Sequence, residues 1–381
     1  MAGLLLVLPI LTLWNLAAGE FAPKLAIKIG RRLAGVTETQ APPAPSLRNV
    51  ANGDLQREAM RDISDSNPLR PMLIRLSNQF RVRLLGAYDS PGVVAGDNGQ
   101  LIEQVYVDEY CHRDLAALEG KARAWIPKLK ALQDVYTARG HVFIYLITPS
   151  KMAHIPEAFL GHVACPSAPA ARTQYLPTYV KMLREAGIRF VDLATLIHGL
   201  KSHYEIDVFP PGGVHWNALG VANAADAVLA ELARDRPFAP RLKWTYTITN
   251  RPSGSDRELT DILNIIYSRD RFATAKVTFR GNNCADFPAA HQSVALVGGS
   301  FIHALAQVLL AQGCLRELQS YNYLYRGRRG GPNYAVDKDH LTAADIVPLA
   351  DADIMLLEEN EQVLPGSAHA EELYRVLIKG P

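Results

Sequence analysis

Short apolar runs alternate with longer amphipathic segments along the chain from Leu115 onward. The short runs are rich in β-branched and aromatic residues, as in His141–Thr148 (HVFIYLIT), and they predict buried strands. The longer segments place apolar residues three or four positions apart and predict helices. The predicted strands are His141–Thr148, Ile188–Leu193, Leu242–Thr249, Lys276–Arg280, Ser293–Val297 and Asp353–Leu357. The predicted helices are Leu115–Ala138, Tyr175–Ala186, Ala218–Arg234, Glu258–Tyr267 and Phe301–Gln312.

Continuous apolar strands that alternate with helices predict an α/β fold with a mostly parallel central sheet, covered by helices on both faces. In such sheets, ligands bind outside the carboxyl ends of the strands. We therefore expect the functional residues directly after the predicted strands. The chain shows no internal repeat of constant period, which argues against solenoids and propellers.

The N-terminal segment Met1–Ala18 is apolar almost throughout, and the chain carries no charge before Glu20. This pattern predicts a membrane anchor or an export signal over residues 1–20. A cleaved signal would have a basic start and a small residue where Leu16 stands, so we favour an uncleaved anchor. The run is slightly shorter than the roughly 20 apolar residues of a membrane-spanning helix, and Pro9 interrupts it.

The segment after the predicted anchor, residues 21–74, is rich in Ala, Pro, Arg, Asn and Asp, and Ala41–Pro45 forms a stiff, extended patch. We interpret it as an extracytoplasmic linker. The remaining residues, 75–381, are expected to form one folded domain. The composition, 48% hydrophobic and 20% charged, is that of an ordinary globular protein.

The overall charge is close to neutral, +2 from 40 basic and 38 acidic residues. No whole-protein field attracts nucleic acid, so we expect no nucleic-acid partner. The four cysteines form no C-x-x-C pair, which argues against a zinc ribbon or a thioredoxin-type motif. In an oxidising compartment they could form two disulfides in any of three pairings, or they could stay free in the core. They are Cys111, Cys165, Cys284 and Cys314.

A candidate nucleophile follows the predicted strand Ser293–Val297, which runs into Gly298-Gly299-Ser300-Phe301 and then a helix. Two glycines allow a sharp turn, and a serine at a helix N-terminus has backbone N–H donors and the positive end of the helix dipole beside it. One turn can therefore hold a nucleophilic Ser and an oxyanion site. Alternatively, Ser300 is simply a helix N-cap.

A candidate base lies in the loop Phe209–Asn217 (FPPGGVHWN), which holds His215 beside Trp216. Histidine exchanges a proton near neutral pH, and a serine nucleophile needs such a base within hydrogen-bond reach. A structural role for His215 is the alternative. Of the other histidines, His303 is the main rival as base, since it lies three residues after Ser300.

Candidate substrate-binding residues lie in Tyr321–Arg329 (YNYLYRGRR), where aromatic and basic residues are interleaved. Aromatic faces stack on sugar rings, and arginines pair with the carboxylates of acidic sugars. The alternative is an edge strand that leads into a solvated turn. We name Tyr321, Tyr323 and Arg326 as substrate-binding residues, together with Trp216.

An ordered series of segments over about residues 75–365 resembles the SGNH-hydrolase-like O-acetyltransferases of bacterial exopolysaccharide systems, a family that includes the periplasmic alginate O-acetyltransferases. No segment is specific alone, but their order and spacing together are. They are Gly92–Gly99 (a G-x-D-G hairpin), Ile147–Lys151 with Pro156-Glu157 (P-x-K), Val191–Leu193, Asp261–Asn264 (D-L-L-x-L), Gly299–Phe301 (the nucleophile block) and Leu357–Glu361 (E-x-x-E-R).

The resemblance implies an SGNH-hydrolase-like three-layer sandwich and a serine O-acetyltransferase that acts on hydroxyls of a secreted polysaccharide. Ser300 would be the nucleophile and His215 its base, with backbone N–H groups of Gly299 and Phe301 at the oxyanion. It also implies a polysaccharide acceptor and a membrane-embedded acyltransferase as acetyl donor. We expect the periplasmic face of the cytoplasmic (inner) membrane as the location, and neither a metal nor a cofactor.

Two departures from the family pattern concern the catalytic groups. The family often has Asp-x-His-Trp and Gly-Asp-Ser, whereas this chain has Gly213-Val214-His215-Trp216 and Gly298-Gly299-Ser300. Loss of the acid behind the histidine lowers kcat about 10⁴-fold in a serine protease triad. We name Asp207 as the substitute acid, with Asp192 or a Ser–His dyad as alternatives. An acetylesterase and a non-catalytic polysaccharide-binding scaffold stay open as functions.

Overall fold

The structure is a computed structural model, and it describes residues 10–18, 23–25, 27, 33–35, 46–85, 92–235, 241–266, 272–280, 292–313, 317–323, 328–331, 334–337 and 343–379. The chain divides into two compact units. The first comprises Met1–Val93 and Leu259–Arg269, and the second comprises Val94–Glu258 and Asp270–Pro381.

The first unit is helical. Its helices are α1 (residues 10–18), α2 (Leu47–Ala51), α3 (Asp54–Asp65) and α4 (Arg70–Phe80). The side chain of Asn264 accepts from the N–H of Ala34 at 2.8 Å and donates to its carbonyl at 2.9 Å. The Asn78 side chain donates to the Leu263 carbonyl at 2.9 Å. Helices α2 and α3, and the start of α4, fall in the range for which the sequence predicts a linker.

The predicted anchor lies only partly within the described residues, because residues 1–9, 19 and 20 are outside them. In the part of the chain that the structure describes, no helix has the length and apolar character needed to cross a bilayer.

The second unit is built on a seven-stranded sheet with the order β10-β9-β8-β7-β11-β3-β4. The strands β8, β7, β11, β3 and β4 are parallel neighbours, and β9 and β10 extend the sheet antiparallel at one edge. The bounds are β3 Val142–Thr148, β4 Phe190–Asp192, β7 Ser293–Gly298, β8 Glu317–Asn322, β9 Arg328–Gly331, β10 Tyr334–Asp337 and β11 Ile354–Asn360. The predicted α/β fold with a mostly parallel central sheet is confirmed.

Helices cover both faces of this sheet because its inner strands are apolar on both faces; β3 and β11 are buried at every position. Alternate residues of β3 face one core cluster, shared with α6, α8 and α14, while α9, α10 and α12 pack on β3, β7 and β8 or on each other. The helices of the second unit are α5 Gln104–Cys111, α6 Leu115–Ala138, α7 Lys151–His154, α8 Pro169–Glu185, α9 Leu193–His198, α10 Ala218–Leu232, α12 Ile302–Ala311, α13 Ala343–Asp351 and α14 Ala368–Tyr374. Helix α11 spans Glu258–Ile262, and its residues from Leu259 onward belong to the first unit.

Two further strand pairs lie outside the central sheet: β1 (Val93–Ala95) with β2 (Leu101–Glu103), and β5 (Trp244–Thr249) with β6 (Thr274–Phe279). The sequence predicts β5 and β6 as strands but not their separation from the central sheet. They form an antiparallel pair because β5 alternates half-buried with exposed positions along most of its length, which does not suit a sheet buried on both faces.

The helix predicted over Glu258–Tyr267 is shorter in the structure. It ends at Ile262, and Asn264 has a φ of 48°, a left-handed conformation that stops a helix. Of the possible cysteine pairings, the structure contains the disulfide Cys111–Cys165. Cys284 and Cys314 lie outside the described residues.

Candidate active site

The turn that carries Ser300 joins β7 to α12 at the carboxyl edge of the central sheet. Gly298 ends the buried strand β7, and a Cβ there would lie 2.4 Å from Glu358 Oε2 and 2.6 Å from Ile302 Cγ2. Only glycine fits this close approach. The chain then turns through Gly299 and leaves Ser300 half-buried just before α12, where the sequence predicts a nucleophile.

His215 meets Ser300 directly. Its Nε2 lies 2.7 Å from Ser300 Oγ, and its Nδ1 lies 2.6 Å from Glu258 Oε1. A carboxylate only accepts, so Nδ1 carries the proton and donates to Glu258. Nε2 is then the acceptor for the Ser300 hydroxyl, which is the tautomer that a general base needs. The side chains of His215 and Glu258 are 18% and 29% exposed, so the site is open on one side.

Glu258 also fixes the backbone of the His215 loop. Its Oε1 accepts from the N–H groups of Val214 at 2.9 Å and His215 at 3.2 Å. Burial opposes ionisation of Glu258, but the hydrogen bond and charge of His215, with these two N–H groups, lower its pKa. Glu258 is therefore a carboxylate at neutral pH and can accept the hydrogen bond from His215 Nδ1.

Gly213 explains why the acid comes from elsewhere in the chain. A Cβ at Gly213 would lie 2.0 Å from the carbonyl oxygen of Ser255, so a side chain has no room where the resembling family often has aspartate. The backbone that fills this space leads, three residues later, to Glu258. The segment that excludes a side chain at Gly213 therefore supplies the carboxylate.

Asp207 does not hold the position behind His215, which corrects the sequence analysis. Its Oδ1 lies 2.9 Å from His154 Nε2 and accepts from the N–H of Phe209 at 3.1 Å. Asp192, the alternative, caps α9 by accepting from the N–H of Thr195 at 2.8 Å. Both carboxylates are committed to local structure.

The second correction concerns the oxyanion donors. The N–H of Gly299 donates to Glu358 Oε2 at 2.7 Å, so it does not face a reacting carbonyl. Phe301 is the N-cap residue of α12, and its N–H lies at the positive end of that helix. Its buried ring packs against His215, with ring centroids 4.7 Å apart. The Gly299 N–H is therefore already used by Glu358, and the oxyanion role of the Phe301 N–H stays a prediction.

Two of the predicted substrate-binding residues are buried. Trp216 is 2% exposed and packs edge-on against Phe301, with ring centroids 5.5 Å apart. Tyr321, in β8, is fully buried in the core cluster. Neither ring can stack on a sugar, because both side chains are buried against other residues of the protein. Tyr323 is half-buried, and its hydroxyl lies 3.9 Å from where a Cβ of Gly299 would be.

Arg326, the remaining predicted substrate-binding residue, lies outside the described residues. Among the described members of that set, Tyr323 is therefore the one whose side chain stays partly exposed beside the Ser300 turn.

Sequence reasoning missed Glu258, Glu103 and Lys151. Glu258 is the first residue of the predicted helix Glu258–Tyr267, and an acid at this position was the sequence feature that could have pointed to it. Glu103 ends β2, and burial raises its pKa, while the charge of His215 lowers this pKa and that of Glu258 raises it. Lys151 stands in the P-x-K segment, but its contacts depend on long-range packing.

Comparison with known proteins gives a family match and several similar solved structures. The family model described as the SGNH hydrolase-like domain of the acetyltransferase AlgX matches residues 106–314. No curated protein matches the chain. His215, Glu258 and Ser300 all lie inside the matched region.

Three solved structures are similar to this chain. The O-acetyltransferase domain of Pseudomonas putida AlgJ is 18% identical, over 76% of this chain and 100% of that one, with a TM-score of 0.46. Pseudomonas aeruginosa AlgX is 14% identical, over 80% and 71%, with a TM-score of 0.47. Bacillus cereus PatB1 is 11% identical, over 72% and 97%, with a TM-score of 0.45.

Proposed function

This chain belongs to the family of SGNH hydrolase-like domains described for the acetyltransferase AlgX, and from that premise we propose that it is a serine O-acetyltransferase of a secreted polysaccharide. One observation carries the proposal: Ser300, His215 and Glu258 form a continuous hydrogen-bonded chain at the carboxyl edge of the sheet. A nucleophile, a base and the acid that orients the base are the parts that acyl transfer needs.

In the first half-reaction, Ser300 Oγ attacks the carbonyl carbon of the acetyl donor while His215 Nε2 takes the hydroxyl proton. Glu258 stabilises the imidazolium that forms, and the N–H of Phe301 with the dipole of α12 stabilises the oxyanion. The donor's leaving group then departs with the proton from His215. Ser300 is left as an acetyl ester.

In the second half-reaction, a sugar hydroxyl gives its proton to His215 Nε2 as its oxygen attacks the acetyl ester. The tetrahedral intermediate collapses, the carbon–Oγ bond breaks, and Ser300 Oγ regains a proton from His215. The acetylated sugar leaves, and the enzyme returns to its starting state. The same groups would hydrolyse the ester if water replaced the sugar, so an acetylesterase is the second candidate.

The alternative of a non-catalytic polysaccharide-binding scaffold is less well supported. It rests on the missing aspartate at position 213, and Glu258 provides a carboxylate on His215 from another segment. The compartment is also part of the proposal: we place the protein at the periplasmic face of the inner membrane, with a membrane-embedded acyltransferase as donor. The disulfide Cys111–Cys165 supports an oxidising compartment.

The test measures acetyl transfer from an activated acetyl ester to the deacetylated polysaccharide of the producing cell, with free acetate measured in parallel. We expect acetylated polysaccharide with wild type and none with Ser300→Ala. Ser253→Ala, which changes an exposed serine, is the matched control and should keep full activity. Free acetate without polysaccharide acetylation would favour the esterase, and full transfer by Ser300→Ala would refute both.

A further inference from the structure

Lys151 is a buried lysine at the start of α7, immediately beyond the end of β3. Its side chain is completely buried, which is rare for lysine because an ammonium loses its hydration. Such a group persists in a core only where other atoms replace water as its partners. The partners of Lys151 therefore indicate its role.

Four backbone carbonyl oxygens surround the Lys151 ammonium. Its Nζ lies 2.7 Å from the oxygens of Leu101, Pro210 and Gly213, and 3.2 Å from that of Pro211. Three of these oxygens belong to the loop that leads into His215. An ammonium has three protons to donate, so four acceptors use its whole donor capacity.

The loop that leads into His215 offers few backbone donors of its own. Pro210 and Pro211 have no backbone N–H, and the segment forms neither helix nor strand. The carbonyls of Pro210 and Pro211 accept from the N–H groups of Gly213 at 3.3 Å and Leu101 at 2.8 Å, and the Lys151 ammonium gives each of them a second, charged donor. The sequence Pro-Pro-Gly-Gly therefore fits a cation placed at the centre of the turn.

The charge on Lys151 is set by opposing effects. Burial lowers its pKa to about 7, and the charges of Asp207 and Glu258 act in the opposite direction. The four carbonyl dipoles also favour the ammonium, since only the charged form can donate three hydrogen bonds.

Lys151 and Glu258 bind consecutive backbone groups of the loop that leads into His215. Lys151 binds the carbonyl of Gly213, while Glu258 accepts from the next two N–H groups, those of Val214 and His215. We propose that Lys151 is a positioning residue that fixes this loop so that His215 Nε2 stays within hydrogen-bond distance of Ser300. This inference rests on the proposed function of Ser300 and His215.

The test begins with Lys151→Met, which keeps the apolar stem and removes the donors. We expect the rate at which an activated acetyl ester acylates Ser300 to fall about a hundredfold, as a displacement of about 1 Å in a reacting group does. KM for the ester should not change, because Lys151 is buried and cannot touch it. Lys151→Arg keeps the charge and should recover part of the rate.

Lys201→Met is the matched control. Lys201 donates to the His154 carbonyl at 3.2 Å, at the other end of α7, and pairs with Glu157, and its side chain is 42% exposed. It should acylate at the wild-type rate. Circular dichroism and the thermal midpoint of each variant check the fold.

The decisive readout is the double variant Lys151→Met/His215→Ala. If Lys151 acts through His215, the double variant should acylate no more slowly than His215→Ala alone. A further drop in the double variant would overturn the inference, and so would a wild-type rate for Lys151→Met. If Lys151→Met does not fold, Lys151→Arg enters the same cycle, and failure of both to fold would assign Lys151 to the whole domain and not to the loop.

These outcomes separate the inference from the proposed function. Full acylation by Ser300→Ala or His215→Ala would refute the function itself. Loss of activity in those two variants with a wild-type rate for Lys151→Met would refute only the role of Lys151.

Discussion

Among the histidine–carboxylate pairs of the described residues, those of His215 and His154 differ in what the second ring nitrogen contacts. His215 bonds Glu258 through one nitrogen and Ser300 through the other, on the open side of the site. His154 bonds Asp207 through Nε2, but its side chain is fully buried and its Nδ1 faces His198 Nδ1 at 3.2 Å. The second ring nitrogen of His215 therefore contacts a serine hydroxyl, whereas that of His154 contacts another histidine.

The second arrangement continues into a buried ion pair. His198 Nε2 lies 2.9 Å from Glu361 Oε2, and Arg113 lies 3.1 Å from the other oxygen of Glu361. Burial opposes ionisation of Glu361, but the charges of Arg113 and His198 lower its pKa to about 2. This network ties α7, α9 and the end of β11 together. The difference teaches that a histidine beside an acid indicates catalysis only where a nucleophile and solvent access accompany it.

The largest effect on this comparison should come from His215→Ala. Removing the base should lower the rate of Ser300 acylation by roughly 10⁴-fold or more, because the members of such a unit fail together. His154→Ala should lower stability and not the acylation rate of the folded fraction. Stopped-flow acylation with an activated acetyl ester measures both, and comparable rate losses in the two variants would break the comparison.

Replacing each acid by its amide should separate the two histidine–carboxylate pairs further. Glu258→Gln should lower the acylation rate by about 10⁴-fold, the loss found when an amide replaces the acid of a protease triad. Asp207→Asn should leave the rate within a few-fold of wild type, because Asp207 bonds His154 and not His215. The reverse ranking, measured with the same ester, would restore Asp207 as the catalytic acid.

Much of this site could be predicted because it follows local patterns. Ser300 follows an apolar strand and two glycines, and His215 lies in a rigid loop before a helix, so neighbouring residues point to both. Glu258 could not be assigned this way, because it lies 43 residues from His215 and reaches it only through the folded chain. Asp207, eight residues before His215, was the nearer but wrong choice.

Some features of the fold also follow from local sequence patterns, whereas others depend on long-range packing. Runs such as Val142–Thr148 are apolar throughout, so their type and burial follow from the sequence. The antiparallel pairing of β5 with β6, outside the central sheet, joins segments that are far apart in the chain, so no local pattern predicts it. The burial of Tyr321 likewise depends on its strand having neighbours on both sides, β7 and β9, which its own sequence does not reveal.

The buried network should dominate stability. Glu361→Gln removes one partner of a fully buried ion pair, and we expect the free energy of unfolding to fall by about 3 kcal/mol. The acylation rate per folded molecule should stay close to wild type. Urea unfolding followed by circular dichroism measures the first quantity, and unchanged stability would contradict a structural role for this network.

The smallest expected effect is the pH dependence that Glu361 adds. Its folded pKa of about 2 lies below the ordinary value of 4.5, so its contribution is fully present above pH 4.5 and is lost as pH falls through 2. Wild type should therefore lose more stability than Glu361→Gln between about pH 5 and pH 2. Parallel loss in the two proteins would show that Glu361 is not held ionised by its partners.

Ser300, His215 and Glu258 should work as one acyl-transfer unit. Mapping the acyl-enzyme tests this most directly. Wild type, Glu258→Gln and Asp207→Asn are each exposed to an activated acetyl ester, quenched at increasing times, and analysed by intact mass and peptide mapping. We expect one acetyl group on Ser300, formed rapidly in wild type and Asp207→Asn and far more slowly in Glu258→Gln. Acetylation at another residue, or equal rates in wild type and Glu258→Gln, would contradict it.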